Sequence, residues 1–174
     1  MTEGVIHRLG PDLTDAELES LSGLLLDAVA GNASVGFPAE LSGKDARRFW
    51  TDVAAAVSAG RVILLAATSG GRIVGTVQLA FSQYPNGRSR AEVAKLLVHS
   101  SARRRGIATE LMRAAEDEAL RADRRLLFLD TEAGSGAEDF YRKLGWTLAG
   151  VIPDFAYRPD GTLRATSFFY KLLA

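Results

Sequence analysis

The sequence predicts a mixed α/β (α+β) fold, with a central sheet of about six to seven strands flanked by about four helices. Three strand-like segments in the first half are joined by short turns, which is typical of an antiparallel meander. In the second half, a segment of helix length separates two strand-like segments, and this spacing indicates one parallel β–α–β crossover. The chain has 174 residues, the size of one domain, so we expect a single domain over residues 1–174.

The first half of the chain begins with a short strand, continues with two helices and ends with the meander. Thr14 and the glutamate three positions later form a capping box at the start of the first helix. Ser42 caps the second helix, and the stretch between the helices has no apolar period, so we expect a loop. The predicted elements are a strand at Val5–Leu9, a helix from Thr14 to about Gly31, a loop over 31–41, a helix from Ser42 to Ala59, and strands over 61–68, 73–82 and 90–99.

The second half supplies the crossover and closes the sheet. A helix over 106–121 leads to a continuous apolar run over 126–130, the pattern of a strand buried on both faces. A short helix over 136–144 ends before Gly145, a residue type favoured just past a helix end. The closing elements are predicted as strands over 147–152 and 166–172 with an irregular loop over 153–161 between them.

Composition and charge exclude several classes of protein. There is no cysteine, which excludes a disulfide scaffold, a thiolate metal site and a cysteine acyl-enzyme, and with only two histidines we expect no metal. Basic and acidic side chains number 21 each, so we expect neither nucleic acid nor a membrane surface as the main partner. The N-terminal segment lacks the apolar stretch of a secretory signal, and the apolar run over 62–67 is far shorter than a membrane span. We therefore expect a cytoplasmic protein.

The most informative segment is a basic turn between the predicted strand over 90–99 and the helix that follows it. A helix start offers unpaired N–H groups and about half a positive charge, and three arginines add to that charge. The pattern predicts a phosphate or pyrophosphate site, although solvated arginines before an ordinary helix would give the same pattern. The expected contacts are Arg103, Arg104, Arg105, Gly106, Ala108 and Thr109.

Two other phosphate-binding motifs can be tested by their spacing. A P-loop needs Gly-Lys followed by Ser or Thr, and the sequence contains neither combination. A dinucleotide fingerprint needs three glycines, but after Gly134 and Gly136 the third position is Asp139, and no β–α–β unit follows. The sequence therefore does not support a nicotinamide-dependent enzyme.

Two motifs resemble the GNAT superfamily of N-acetyltransferases. The first is R-x-x-G-x-A over 103–108, and the second is the segment over 137–146, which ends in Tyr-x-x-Leu-Gly-Trp. The resemblance covers nearly the whole chain and implies a GNAT fold, acetyl-CoA as cofactor and acetyl transfer to the amine of a small molecule. Further segments are similar to the tabtoxin resistance acetyltransferases, which implies an amino acid or β-lactam antimetabolite as acceptor, in a detoxification reaction. They lie over 33–37, 85–87, 90–93, 129–135 and 159–161.

Direct transfer from a thioester to an amine needs a base for the amine proton and an acid for the leaving sulfur. Glu92 is predicted to share a strand face with Leu96 and Val98, and Asp130 ends the neighbouring strand. The resemblance makes these two carboxylates candidates for the base, and it makes Tyr141 the candidate acid. From the residues alone, each carboxylate could instead form an ion pair or organise a loop, and the tyrosine could be a core aromatic.

The remaining site residues are assigned to the cofactor arm and to the acceptor. The resemblance implies that the backbone of Leu96 and Val98 pairs with the pantetheine arm. It also implies that Ser135 stands near the place of a cofactor-binding asparagine found in many members. The irregular loops over 31–41 and 153–161 are expected to frame the acceptor pocket. Its predicted lining residues are Phe37, Asp154 and Tyr157.

A second function is open from the sequence: a CoA-binding sensor or partner protein without significant turnover. Such a protein would need the basic turn but neither Glu92 nor Tyr141. Turnover with any small amine would distinguish an enzyme from a sensor. A homodimer is also expected, because exposed sheet edges often pair.

Overall fold

The computed structural model describes residues 4–174, which form a seven-stranded sheet and four α-helices. The strands are β1 (Val5–Leu9), β2 (Val62–Ser69), β3 (Arg72–Phe81), β4 (Arg90–Val98), β5 (Leu126–Glu132), β6 (Thr147–Tyr157) and β7 (Leu163–Leu172). The helices are α1 (Asp15–Ala30), α2 (Gly43–Ser58), α3 (Ile107–Arg121) and α4 (Gly136–Lys143), with 3-10 turns at Pro85–Gly87 and Ser100–Ala102. The predicted fold class is confirmed. Within residues 4–174, no helix is long and apolar enough to span a membrane.

The sheet opens at its centre, between β4 and β5. Its strand order is β1-β2-β3-β4-β5-β7-β6, and all neighbours are antiparallel except β4 and β5, which α3 connects in parallel as predicted. These two strands pair only from Arg90 opposite Leu126 to Glu92 opposite Phe128. Beyond that point they no longer pair, while β5 continues its pairing with β7 as far as Glu132. The second half of β4 therefore has a free edge on its β5 side.

A β-bulge in β4 changes which residues share a face of the sheet. Between two of its pairings with β3, β4 has two residues, Lys95 and Leu96, where β3 has one. The first of them has a φ of 52°, in the left-handed region. The prediction that Glu92 shares a face with Leu96 and Val98 is therefore wrong. The extra residue moves Leu97 onto the Glu92 face, where it packs in the core under α1 and α2.

Two apolar cores lie on opposite faces of the sheet. Residues of α3 and α4 pack on one face, and residues of α1 and α2 pack on the other. The capping box at Thr14 and the N-cap at Ser42 are both formed, which confirms the predicted helix starts. Fully buried members of the first core are Val77, Leu79, Leu111, Met112 and Leu127, and those of the second are Leu21, Leu25, Trp50 and Leu64.

Two predicted strands differ from the structure. β5 is buried on one face only, since its residues alternate between the α3 core and a more open face. β6 continues through most of the segment predicted as a loop and ends at Tyr157. It can do so because an edge strand tolerates Pro153, and a register irregularity between Ile152 and Ala156 absorbs the extra residues. The irregular connection between β6 and β7 is therefore confined to residues 158–162.

Candidate functional site

A cleft of about 1280 Å³ passes through the opening between β4 and β5. Its lining comes from both faces of the sheet: the loop over 31–41 lies on one side, and residues of α3 and α4 lie on the other. Pockets for one small molecule typically measure about 300–1000 Å³, so this cleft is larger than one such pocket. The predicted site residues that line it are Phe37, Glu92, Leu96, Val98, Arg103, Ala108, Asp130, Ser135, Tyr141 and Tyr157.

The start of α3 lies at one end of the cleft and carries the remaining predicted phosphate contacts. The chain turns into the helix through Arg104, with φ 62°, and Gly106, with φ 81°. The first bond within the helix runs from the Glu110 N–H to the Gly106 carbonyl at 3.1 Å, so the preceding N–H groups have no partner within the helix. A Cβ on Gly106 would meet nothing within 4 Å, so conformation rather than space requires the glycine. Arg105 belongs to this turn and Thr109 lies in the first turn of α3, so the helix start suits an anion.

Arg103 is held by the protein at the same turn. Its Nε donates to the Val98 carbonyl at 3.1 Å, and its Nη2 lies 3.7 Å from a carboxylate oxygen of Asp27 on α1. That carboxylate also accepts hydrogen bonds from the N–H and hydroxyl of Ser100, at 2.8 and 2.7 Å. Burial raises the pKa of Asp27, but the Ser100 hydrogen bonds and the charges of His99 and Arg103 outweigh it and lower the pKa. Arg103 therefore positions the basic turn against α1.

Glu92 and Asp130 project from the same face of the sheet and line the cleft. Glu92 is paired with Phe128 in the parallel register, and Asp130 lies two residues further along β5. Burial and then the charge of Asp130 raise the pKa of Glu92, while the charge of Lys95 opposes them. Burial also raises the pKa of Asp130, against the charge of Lys95 and a backbone hydrogen bond. A carboxylate with a raised pKa is a better proton acceptor near neutral pH.

Lys95 is a charged cleft residue that the sequence analysis did not select as a site residue. Its Nζ lies 5.6 Å from the centroid of the Phe49 ring on α2. Burial lowers the pKa of Lys95, and the charges of Glu92 and Asp130 act in the opposite direction. One signal was available, since Lys95 is a second charged residue in an otherwise apolar stretch. Regular alternation, however, would have placed it on the wrong face.

Tyr141 lines the cleft from α4, on the opposite face of the sheet from Glu92. Its ring packs against those of Phe140, Trp146 and Phe169, with centroid distances of 5.3, 6.0 and 6.0 Å, and only 8% of the residue is exposed. Burial and then the charge of Asp130 raise the pKa of Tyr141 to about 12. The phenol is therefore neutral at physiological pH and able to donate a hydrogen bond.

The loop over 31–41 and the β6–β7 hairpin meet across the rim of the cleft. The side-chain amide of Asn32 donates to Asp160 at 2.6 Å, and the Asp160 N–H donates back to Asn32 at 3.2 Å. The Ser34 hydroxyl donates to the Tyr157 carbonyl at 3.4 Å. These contacts join segments 128 residues apart and restrict access from that side. Within residues 4–174, no group of three or more acidic or histidine side chains is arranged to hold a metal ion.

Glu132, at the end of β5, fixes the hairpin in place. It accepts two hydrogen bonds from Arg158 and lies 3.4 Å from Arg164. The hydrogen bonds from Arg158 lead the causes that lower the pKa of Glu132. Ser135 lies nearby, and its hydroxyl donates to the Glu132 carbonyl at 2.7 Å. Asp154 does not fit its predicted role, because it sits exposed in the β6 irregularity, with φ 49°, outside the cleft lining.

Comparison with known proteins identifies one family and several solved structures that share the fold of this chain. The sequence profile of the acetyltransferase (GNAT) family matches residues 30–146. The ribosomal-protein-alanine N-acetyltransferase from Brucella melitensis is 23% identical, with a TM-score of 0.81 over 97% of this chain and 99% of that one. yncA from Salmonella typhimurium, a candidate acetyltransferase solved with its cofactor acetyl-CoA, is 16% identical, with a TM-score of 0.81 over 99% and 95% of the two chains.

A candidate phosphinothricin N-acetyltransferase is also similar, with 17% identity and a TM-score of 0.78 over 98% of this chain and 99% of that one. At these identities the likeness to the three solved structures shows a common fold. It covers 97–99% of this chain.

Proposed function

The chain belongs to the GNAT family of acetyltransferases, because the family profile matches residues 30–146, and we propose that it transfers the acetyl group of acetyl-CoA to the amine of a small molecule. The observation that carries this proposal is the opening between β4 and β5. A single cleft there joins a basic helix start to a pair of carboxylates. Such a cleft suits a long cofactor with an anionic end and a thioester end.

The residues of the cleft fit acetyl-CoA. β4 has no strand partner on its β5 side after Glu92, so its peptide groups can pair with the amide-containing pantetheine arm as an added strand would. The unpaired N–H groups at the start of α3, with Arg104 and Arg105, suit the pyrophosphate. Bound acetyl-CoA supplies an already activated thioester. The other proposed cofactor contacts are Leu96, Val98, Gly106, Ala108, Thr109 and Ser135, with Arg103 positioning the turn.

The carboxylate pair deprotonates the acceptor amine. Glu92 accepts the amine proton as the N–C bond forms, and the C–S bond breaks to release a thiolate, which takes its proton from solvent to leave as a thiol. Burial and then the charge of Asp130 raise the pKa of Glu92 and so make it a stronger base. Tyr141 donates a hydrogen bond to the departing sulfur. Holding the reactants together in the cleft supplies roughly 7–11 kcal/mol of the rate enhancement, so no covalent nucleophile is required.

We infer that the acceptor is small: an amino acid or a β-lactam antimetabolite, in a detoxification reaction of the kind that the tabtoxin resistance acetyltransferases carry out. The Asn32–Asp160 contacts cross the rim, which leaves less room for a protein tail than an open groove would. Phe37 and Tyr157 line the cleft on that side. The candidate phosphinothricin N-acetyltransferase named above supports a small amine, whereas the name of the ribosomal-protein-alanine N-acetyltransferase indicates a protein acceptor.

The test is thiol release from acetyl-CoA with a panel of amino acids, a β-lactam amino acid, polyamines, aminoglycosides and peptides. Acetyl-CoA affinity is measured in parallel by calorimetry, with Tyr141→Phe as the control. We expect turnover with one class of small amine and a lower rate in the control. Release with peptides alone would assign a protein acceptor, and binding without any release would favour a sensor. A cytoplasmic location and a homodimer stay predictions, to be tested by fractionation and sedimentation.

A further inference from the structure

The proposed acetyl transfer leaves Lys95, a charged residue of the cleft, without a role. In a regular strand, Lys95 would share a face with Val93 and point into the core under α3. The bulge turns it to the opposite face, where its Nζ lies 5.6 Å from the centroid of Phe49. The φ of 52° is unfavourable for a residue with a side chain. Bulges commonly re-aim a side chain beside an active site, and this one brings an ammonium into the cleft.

The ammonium of Lys95 has its donors available. Among residues 4–174 it has neither a hydrogen bond nor an ion pair within 4.0 Å, although Glu92 and Asp130 lie close enough to affect its pKa. Lys171 shows what a structural lysine looks like in this protein. Its Nζ donates to both carboxylate oxygens of Glu116, at 2.7 and 2.8 Å, and to a backbone carbonyl at 2.8 Å. Lys95 is half-buried, and a cation that has lost part of its hydration without gaining such partners is costly, which points to a ligand that supplies them.

We propose that Lys95 is the anion-binding group of the acceptor site and that the acceptor is an amine with a carboxylate beside it, as in an α-amino acid. This inference rests on the acetyl transfer proposed above. Glu92 and Asp130 would face the amine, and Lys95 would face the carboxylate, so the cluster matches a zwitterion. A simple amine would satisfy only the two carboxylates.

The surroundings of Lys95 suit this role. Gly36, with φ 90°, lies beside the ammonium, since a Cβ built on it would be in ordinary van der Waals contact with the Lys95 Nζ at 4.0 Å. The rings of Phe37 and Phe49 meet edge to face, with centroids 5.2 Å apart, beside the ammonium. An apolar wall lowers the local dielectric and strengthens the attraction between the ammonium and a carboxylate.

The experiment compares kcat and KM for three matched acceptors: an L-amino acid, its α-carboxamide and the amine that lacks the carboxyl group. These three acceptors are prepared for each of the twenty amino acids, and each one is assayed with wild type, Lys95→Met and Lys95→Arg. Lys44→Met, an exposed lysine on α2, is the matched control. We expect wild type to prefer the acid by roughly 10- to 100-fold. Lys95→Met should abolish this preference through a higher KM for the acid alone, Lys95→Arg should restore part of it, and Lys44→Met should change nothing.

Two results would overturn the proposal while leaving the acetyl transfer intact. One is turnover of amines by wild type with no preference for the carboxylate. The other is an equal loss on all three acceptors in Lys95→Met, which would assign Lys95 to the proton transfer. If no acceptor turns over, calorimetry measures binding of the same acids and amides to the CoA-loaded protein. A carboxylate preference that Lys95→Met removes would then support the anion site although the acetyl transfer fails, and its absence would overturn both.

Discussion

Replacing Tyr141 by phenylalanine tests how the cleft stabilises the departing sulfur. The pKa of Tyr141 is about 12, whereas that of an ordinary thiol is about 8.5. Complete proton transfer from the phenol to a thiolate is therefore uphill by about 5 kcal/mol. The phenol instead contributes as a hydrogen-bond donor to the developing negative charge. A hydrogen bond to a charged group contributes about 1.5–3 kcal/mol, so kcat should fall roughly 10- to 150-fold in Tyr141→Phe.

The pH dependence of this loss is the sharper test. Because the phenol stays neutral far above neutral pH, the ratio of wild-type to Tyr141→Phe kcat should be constant from pH 6 to pH 10. A tyrosine with an ordinary pKa of about 10 would ionise near the top of this range and lose its advantage over phenylalanine. The assay is thiol release from saturating acetyl-CoA and amine, with acetyl-CoA affinity measured by calorimetry to confirm that binding is unchanged.

A titration of the tyrosinate absorbance checks the pKa directly. Wild type should show no additional ionising group near pH 10 when compared with Tyr141→Phe. The raised pKa also means that the neutral phenol stabilises the folded state. This contribution, up to about 3 kcal/mol, is fully present below pH 10 and is lost as the pH rises towards 12. Full kcat in Tyr141→Phe, or a ratio that declines as the pH approaches 10, would refute the hydrogen-bond argument.

Three further substitutions probe the base, the basic turn and the core. Glu92→Gln should lose roughly 10²–10⁴-fold in rate at neutral pH, with acetyl-CoA affinity unchanged, and recover at high pH as free amine accumulates. A loss of equal size at every pH would contradict a base role. Gly106→Val should weaken acetyl-CoA binding at least about tenfold in calorimetry, because φ 81° is strained for valine. Unchanged affinity would remove the turn from the cofactor site. Gly75→Ala would place a Cβ 3.0 Å from Ile107, so the melting temperature should fall by roughly 2–10 °C, whereas Gly23→Ala in α1 should not lower it.

Most of the helices and strands could be predicted from the sequence, because local signals mark where they begin and end. Capping residues gave the starts of α1 and α2, and turn residues separated the strands of the meander. The predicted strand for β6 ends too early, at residue 152, because Pro153 and Asp154 are typical of loops. An edge strand has one side free of hydrogen bonds, and it can therefore accommodate a proline and a bulge that an inner strand would not.

The site was predictable where a residue type matched a motif and unpredictable where geometry depended on long-range pairing. Glu92, Asp130 and Tyr141 all line the cleft, although the chemical roles assigned to them stay predictions. The bulge at Lys95 had no sequence signal, because the left-handed residue is neither glycine nor asparagine, and the apolar run after it fits either face. The Asn32–Asp160 contact could not be foreseen, since it forms only when the whole sheet has folded.

The charged forms of Glu92 and Lys95 destabilise the fold, because both side chains are partly buried in the cleft. Charges that are kept at such a cost indicate a functional site independently of any motif. Glu92 has a raised pKa, so its contribution to stability is present below about pH 4.5 and is lost as the pH rises through the folded value. Lys95 has a lowered pKa, so its penalty acts at lower pH and disappears only as the pH approaches 10.5. Where both groups are charged, the two penalties act together, on a strand whose neighbouring residues are apolar. Glu92→Gln should therefore melt at or above the wild-type temperature while losing activity, because the buried charge serves the chemistry rather than the fold.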